Sequence, residues 1–343
     1  MGTWAKPEHS RSAVDRAART VACSPADAPQ IQSALAIVNN WRSAHAFPLN
    51  TIQVNLRARA RAVDPDAIVA QRIKRMPSIV GKVQRFPEMK LSRMQDIGGC
   101  RAVLNDIESV RRVHERYLEG NGRHVLERQD DYIDVSPKPS GYRGIHLVYR
   151  YNSKRTETYN GLRIEMQIRS RIQHAWATAV ETVGFFTEQA LKSSQGAEDW
   201  LRFFALMGSE TASIEEAPIV PGTPASASER REEIRALAQR LDVARKLSAY
   251  GHTLKQTEAD AESGARYHIL ELNASSGRLV IISFDRLADA TTVYEERETL
   301  GRDTGVDVVL VSVDSLSSLR RAYPNYFLDT AYFRQLVAQA IRQ

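Results

Sequence analysis

Cysteine is nearly absent. Cys23 and Cys100 are the two in 343 residues, too few and too scattered for a disulfide framework or a cysteine-rich zinc site. Long apolar runs are missing as well: none approaches the roughly 18 residues that a membrane span needs. The opening MGTWAKPEHSRSAVDRAART lacks the apolar segment of a signal peptide. No internal repeat is visible. These absences lead us to expect a soluble, cytoplasmic protein in a reducing compartment, with no membrane partner.

What is present is an uneven charge. The net +6 divides into 31 Lys+Arg against 22 Asp+Glu over residues 1–210, and 16 against 19 over residues 211–343. A basic first part beside a slightly acidic second part suits an anionic ligand for the first. Solvated charge on helix surfaces is the plain alternative, and only the location of the cations separates the two.

The apolar fraction of 43% over this length suits two domains. In residues 29–62, Ile31, Leu35, Val38, Trp41, Ile52 and Leu56 recur near a helical period, and FPLN at 47–50 reads as a break between two helices. RIKRMPSIVGKVQRF places Pro77 at a helix start. CRAVLND is a short strand followed by a helix through IESVRRVHERYLEG. GIHLVYRYN and GLRIEMQIR are two strands joined by a polar connection over 152–160, and residues 171–206 return to helix. Residues 215–229, EEAPIVPGTPASASE, have the composition of a linker. Beyond it a helix over 229–250, strands RYHILEL and RLVIISF, a helix near 286–300, strand VDVVLVSV and a terminal helix predict a small α/β domain. The expected division is a helical region over 1–65, a first domain over 66–214, the linker, and a small α/β domain over 230–343. The fold class expected is α/β (α+β), a mixed β-sheet flanked by helices.

Several groups in the first domain carry chemistry. Arg72, Lys74, Arg75, Lys82 and Arg85 surround a helix start, with Ser78 on a neighbouring turn. Lysine offers point charge to polyphosphate, and arginine offers a planar fork or a face to stack on a base. Asp96 precedes a Gly-Gly turn, with Arg101 five residues on. A carboxylate there suits Mg²⁺, which takes one or two protein carboxylates and leaves its other positions to water and phosphate; a turn or capping role is the alternative. Alternation along LRIEMQIRS puts Leu162, Ile164, Met166 and Ile168 on one face and Arg163, Glu165, Gln167 and Arg169 on the other. Asp96 and Glu165 together could flank a metal or divide metal and base duties. In DYIDVSPKPSGYRGIHLVYR, Pro137 and Pro139 stiffen a loop and Gly141 permits an unusual turn. Tyr142 then emerges as a stacking platform beside Lys138, Arg143 and His146. His174 and Glu181 follow on the next helix, near enough to close the same site, while Trp176 reads as packing.

Taken together, RIKRMPSIVGKVQR, MQDIGGCR, DYIDVSPKPSGYRGIHL and IEMQIRSRIQHAW, in that order over roughly residues 70–180, resemble the synthetase domain of the RelA/SpoT family of alarmone synthetases. The resemblance implies a nucleotidyltransferase-like mixed sheet. It also implies a pyrophosphokinase that moves the β,γ-pyrophosphate of ATP to a ribose 3′-hydroxyl, of GDP or GTP, to make (p)ppGpp. By resemblance, Asp96 maps to the Mg²⁺ aspartate and Glu165 to the second acidic residue, a metal ligand or base. Arg72, Lys74, Ser78, Lys82 and Arg101 map to the ATP site. Tyr142 maps to the residue that stacks on the acceptor base, and Lys138, Arg143, His146, Gln167 and Arg169 to the acceptor side or its supports. Two departures stand out. No His-Asp pair occurs in the chain, so synthesis without a hydrolase domain is expected. His174 stands where relatives have an amide or acidic residue near the acceptor base, which leaves the acceptor open. The layout, a synthetase fused to a small extra domain, looks like the fused toxin–antitoxin members called CapRel, some of whose toxic relatives pyrophosphorylate the 3′ end of tRNA. On that alternative reading residues 230–343 restrain a toxin acting on tRNA or adenine nucleotides, and a protein trigger binds them. RRAYPNYFLDTAYF, with Tyr323, Tyr326, Phe327, Tyr332 and Phe333, then reads either as packing of the last helix or as a surface that docks on the active site.

Overall fold

The computed structural model describes residues 4–23, 27–120, 122–187, 197–252, 255–259, 265–273, 276–301, 306–313 and 316–342. Three helices open it: α1 (Arg11–Cys23), α2 (Ala28–Ala44) and α3 (Ala46–Arg61). Asp27 caps α2 by accepting from the Gln30 amide at 2.9 Å. The helix break falls at His45, so Pro48 lies inside the first turn of α3, where its missing N–H costs nothing. FPLN therefore begins a helix instead of separating two.

Next come β1 (Ile68–Ile73), α4 (Met76–Arg85), β2 (Gly98–Leu104), α5 (Ile107–Leu118), β3 (Val125–Asp131), β4 (Ile145–Arg150), β5 (Arg163–Ser170), α6 (Arg171–Thr187) and α7 (Ala197–Ile214). The predicted helical stretch over 171–206 thus contains α6 and the first part of α7, and residues 188–196 lie outside the described residues. After residue 214 follow α8 (Ala227–Leu241), α9 (Val243–His252), β6 (Lys255–Ala259), β7 (Tyr267–Asn273), β8 (Arg278–Phe284), α10 (Leu287–Gly301), β9 (Val306–Ser312), α11 (Leu316–Ala322) and α12 (Ala331–Arg342). The helix read over 229–250 is two, because Asp242 turns left-handed at φ 53° between them.

The strands form one mixed sheet in the order β3-β4-β5-β2-β1-β9-β7-β8-β6. Strands β2 and β5 run parallel, and β1 pairs antiparallel with both β2 and β9. The strands of the C-terminal part therefore continue the first part's sheet, joined through Gln71–Ser312 and Arg72–Val311. Apolar faces are buried where alternation predicts: Ile164, Met166 and Ile168 are at most 1% exposed and pack with α3 and α5 residues. A second core joins α6 and α7 to α8 and α12 through Trp176, Phe203, Phe204, Leu237 and Phe333.

The proline-rich connection after residue 214 is held down. The Val220 amide donates to Ser209 Oγ at 2.9 Å, and Arg143 and Arg202 donate to the carbonyls of Pro218 and Gly222. Ala217 and Val220 are buried. Its composition is that of a linker; its packing is that of a strap across α7. Among the described residues no helix is long and apolar enough to cross a membrane.

Candidate active site

The register of the sheet assembles the site. One row across the strands reads Ala70, Arg101, Gln167, His146, and the next reads Arg72, Gly99, Glu165. Side chains of one row share a face, so strands far apart in sequence deliver cations, an amide, an imidazole and a carboxylate to the same side. Gly99 leaves the floor between Arg72 and Glu165 open. The result is a cavity of about 270 Å³, lined among others by Arg72, Lys74, Asp96, Arg101, Lys138, Tyr142, His146, Glu165, Gln167, Arg169, Glu181 and Tyr323.

Asp96 follows the short turn Leu91–Arg93 and meets two ammonium groups, Lys74 Nζ at 2.5 Å and Lys82 Nζ at 3.4 Å. Burial works against its charge, but the two lysines outweigh it and hold the carboxyl below its ordinary range. Lys82 reaches Asp96 from the body of α4 without lining the cavity.

A relay runs along the sheet on the other side. Tyr142 Oη lies 2.6 Å from His146 Nε2, and His146 Nδ1 lies 3.1 Å from Glu165 Oε1. The assignment that satisfies both has the phenol donate to Nε2 and Nδ1–H donate to the carboxylate. Gln167 Nε2 donates to Glu165 Oε2 at 2.8 Å, and Arg169 donates to Gln167 Oε1 at 3.3 Å. Burial pushes the Glu165 carboxyl up, yet the His146 hydrogen bond prevails and lowers it. Both carboxylates are therefore ionised at neutral pH. Their oxygens face a cavity rich in cations, a donor set that fits Mg²⁺ shared with phosphate oxygens.

The loop over 137–142 has the geometry its prolines and glycine suggested. Gly141 stands at φ +91°, and a Cβ there would meet the Phe204 carbonyl at 2.7 Å. Lys138 Nζ sits 3.8 Å from the Tyr132 ring centroid and 5.1 Å from that of Tyr142. Tyr132 was missed in the sequence reading; its position nine residues before Gly141 gave no sign that both rings would bracket one ammonium.

Three expected site residues lie elsewhere. Arg143 is buried, donating to the Ile133 carbonyl at 3.1 Å and to Pro218, so its guanidinium braces the loop from behind. His174 is also buried, with Nε2 3.3 Å from the Arg321 carbonyl, and it borders a separate cavity beneath α11 and α12. Burial, then Arg101 and Arg169, hold it neutral far below the ordinary imidazole value. Ser78 is half-buried in α4's first turn and does not line the cavity. Among the flanking cations, Arg75 pairs with Asp307 and donates to Tyr326 Oη at 3.3 Å, while Arg85 is exposed at the end of α4.

Tyr323 is the wall of the cavity that the C-terminal part supplies. Its ring lies 5.1 Å from Arg101 Cζ, its hydroxyl donates to the Gln71 carbonyl at 2.9 Å, and Arg101 donates to the Ala322 carbonyl. Burial and then Arg169 push Arg101 down to about 10, still charged at neutral pH. Aromatic packing accounts for Tyr326, Phe327 and Phe333, which are core residues. Tyr323 does both: it is 3% exposed and also lines the cavity.

Residues 71–186 match the family model described as the region found in RelA / SpoT proteins, and the chain carries a RelA/SpoT-family domain over that stretch. The chain is 31% identical over 123 residues to GTP pyrophosphokinase YjbM of Bacillus subtilis, covering 35% of this chain and 57% of that protein. It is 30% identical over 113 residues to GTP pyrophosphokinase YwaC of the same organism, covering 31% and 52%. An uncharacterized protein of Mycobacterium tuberculosis, Rv1366, is 27% identical over 180 residues, 51% of this chain and 59% of that one. The chain thus spans little more than half the length of the curated relatives it matches. Among solved structures, the small alarmone synthetase 1 of Bacillus subtilis bound to its product pppGpp aligns over 51% of this chain and 93% of that one, at 21% identity and a TM-score of 0.43.

Proposed function

We propose that this protein is an ATP-dependent pyrophosphokinase that transfers the β,γ-pyrophosphate of ATP to a ribose 3′-hydroxyl, with GDP or GTP as acceptor. The observation that carries the reading is the convergence of Asp96 and Glu165, both ionised, with Arg72, Lys74 and Arg101 and the Tyr142 ring on one cavity. Phosphoryl-group transfer needs positioning and charge neutralisation more than covalent help from the protein, and this cavity offers both.

Arg72, Lys74, Lys82 and Arg101 would hold the triphosphate, with an arginine face available to the adenine. Tyr142 would stack on the acceptor base, with Lys138, Gln167 and Arg169 about its phosphates and ribose. Asp96 would hold Mg²⁺, which when bound neutralises charge on the phosphate oxygens, and Glu165 is left to act as the base. The 3′-oxygen attacks the β-phosphorus, the bond from that phosphorus to the α,β-bridging oxygen breaks, and AMP leaves. The hydroxyl proton goes to the Glu165 carboxylate, whose charge His146 and Gln167 orient.

A restraint belongs to the same reading. Tyr323 stands against Arg101, one of the donor-side cations, so residues 230–343 hold the resting enzyme back by filling donor space, and a protein trigger binding that part would release it.

The test is the full chain, and its Tyr323→Ala variant, with Mg²⁺ and γ-labelled ATP, offered GDP, GTP, ATP alone or bulk tRNA in parallel. Label on GDP or GTP, lost in Asp96→Ala and Glu165→Ala with the fold intact, supports the proposal. Label on tRNA alone makes the protein a tRNA-directed toxin. Label on nothing, in either protein, refutes pyrophosphate transfer.

A further inference from the structure

The helix that carries Lys82 lacks a cap of its own. The position before α4 is Arg75, whose side chain makes no capping hydrogen bond, and Pro77 contributes no N–H. The Met76 amide donates instead to Glu298 Oε1 at 2.7 Å, across 222 residues of sequence. Met76 is 1% exposed and Glu298 6%, and neither lines the donor cavity. Glu298 is therefore behind the site, not in the way of a phosphate.

Through Arg42 the same carboxylate is tied to the segment between β1 and α4. Arg42, on α2, donates to Glu298 through Nη1 at 2.8 Å and Nη2 at 3.1 Å. Its Nε donates to the Lys74 carbonyl at 3.0 Å. Tyr294 Oη closes the cluster, donating to Glu298 Oε1 at 2.7 Å and accepting from Arg42 Nη2 at 2.8 Å. Lys74 and Lys82, the two partners of Asp96, thus sit on either side of a peptide segment whose backbone is anchored at two points by one buried cluster.

We infer that Glu298 of α10 is a positioning residue for the donor site: with Arg42 it caps α4 and holds the 74–76 backbone, so that Lys74 and Lys82 face the triphosphate. This rests on the donor-site reading above. The C-terminal part then has two opposed effects, since Tyr323 obstructs donor space while Glu298, from behind, holds the segment that carries Lys74 and Lys82 in place. Removing residues 230–343 would lose both, and relief of restraint needs displacement of α11 with α10 left in place. A carboxylate at a helix N-terminus suits the helix dipole as well as the orphan amide. Because the pair is buried, removing one partner alone strands a charge, whereas exchanging both for apolar groups of similar volume spares the fold.

The experiment uses the full chain with Tyr323→Ala, so that obstruction does not mask binding, and compares it with two further proteins. One adds Arg42→Met and Glu298→Met, which removes the cap and the tie to Lys74. The other adds Arg42→Met and Glu298→Gln, which keeps an acceptor for the Met76 amide. Calorimetry reads the affinity for a non-hydrolysable ATP analogue with Mg²⁺ and, separately, for GDP; amide exchange reads residues 76–82; melting reads the fold. Expected are about tenfold weaker analogue binding and faster exchange at the start of α4 in the Met/Met protein, the size of a lost cap. GDP affinity should stay within about twofold, and the Met/Gln protein should recover most of the loss. Unchanged analogue affinity and exchange in the Met/Met protein overturn the inference, as does a parallel fall of analogue affinity, GDP affinity and Tm. A Tyr323→Ala parent that binds the analogue but transfers pyrophosphate to no acceptor sinks the reaction proposed above while these comparisons still decide the role of Glu298. A parent that binds no analogue sinks both.

Discussion

The Arg101 guanidinium lies over the face of the Tyr323 ring, 5.1 Å from its centroid, and donates to the carbonyl of the residue before it, Ala322. A cation–π contact of this kind contributes about 0.5–2 kcal/mol, and the hydrogen bond about another 1 kcal/mol. Both would be surrendered when a nucleotide takes the arginine. Tyr323→Ala should therefore raise pyrophosphate transfer at sub-saturating ATP by about tenfold, mainly through KM. Initial rates across an ATP series check this. Unchanged KM in a folded variant would show that the ring is only packing.

His146 governs the ionisation of Glu165. Burial alone would raise that carboxyl; the hydrogen bond from Nδ1 at 3.1 Å reverses the effect. A depressed carboxyl is a contribution present above its unfolded pKa and lost as pH falls through its folded one. His146→Ala removes the lowering partner and leaves the burial, so the acidic limb of the pH–rate profile should move to higher pH. A loss of about tenfold is expected at the acidic end, the fall produced when the limb moves by about one pH unit, with a smaller loss on the alkaline side. Profiles of both proteins from pH 5.5 to 9 would reveal it, and superimposable limbs would remove Glu165 from the proton path.

Much of the site was legible because the strand period is simple. Alternation in LRIEMQIRS separates Glu165 and Gln167 from Ile164 and Met166, and the structure keeps that separation. Pro-Lys-Pro-Ser-Gly likewise announced a stiff loop with an unusual turn at its glycine, and Gly141 stands at φ +91°. The reading failed where long-range packing decides. Nothing local says that Arg143 points back to Pro218, 75 residues on, or that His174 lies under Arg321. The IVAQRI strand at β1 was overlooked because its two polar residues obscure the alternation, and with it the pairing that joins β1 to β9. Composition also suggested a free linker after residue 214, where small residues instead allow close packing on α7.

His45 links stability to pH. It is 1% exposed at the break between α2 and α3, with Nδ1 2.7 Å from the Trp41 carbonyl, and burial lowers it to about 4. The unfolded chain takes up this proton near 6.5 and the folded chain near 4, so between those values the unfolded state binds more protons and stability rises with pH. At pH 5 the deficit from this group is about 2 kcal/mol relative to neutral pH. His174 is depressed in the same direction. Urea unfolding at pH 7.5 and pH 5 should give a stability difference that shrinks by about 2 kcal/mol in His45→Gln. An undiminished difference would place the acid sensitivity elsewhere.

The loop over 137–142 depends on two glycines that face each other. A Cβ at Gly141 would meet the Phe204 carbonyl at 2.7 Å and Trp176 Cζ2 at 3.0 Å, while one at Gly208 would meet Gly141 Cα at 2.7 Å. Backbone on both sides leaves no flexible atom to yield, and φ +91° adds strain for any side chain. Gly222→Ala is the control: it shares a positive φ, +81°, but has open space around it. Both variants bear the backbone cost, about 1 kcal/mol each; only Gly141→Ala must also move the loop that carries Lys138 and Tyr142. The expected result is about tenfold weaker GDP binding for Gly141→Ala, with ATP-analogue binding held within about twofold, and neither affinity altered for Gly222→Ala. Calorimetry with each nucleotide separates the cases. Equal GDP affinity in the two variants would mean that the loop's position is not what the acceptor reads.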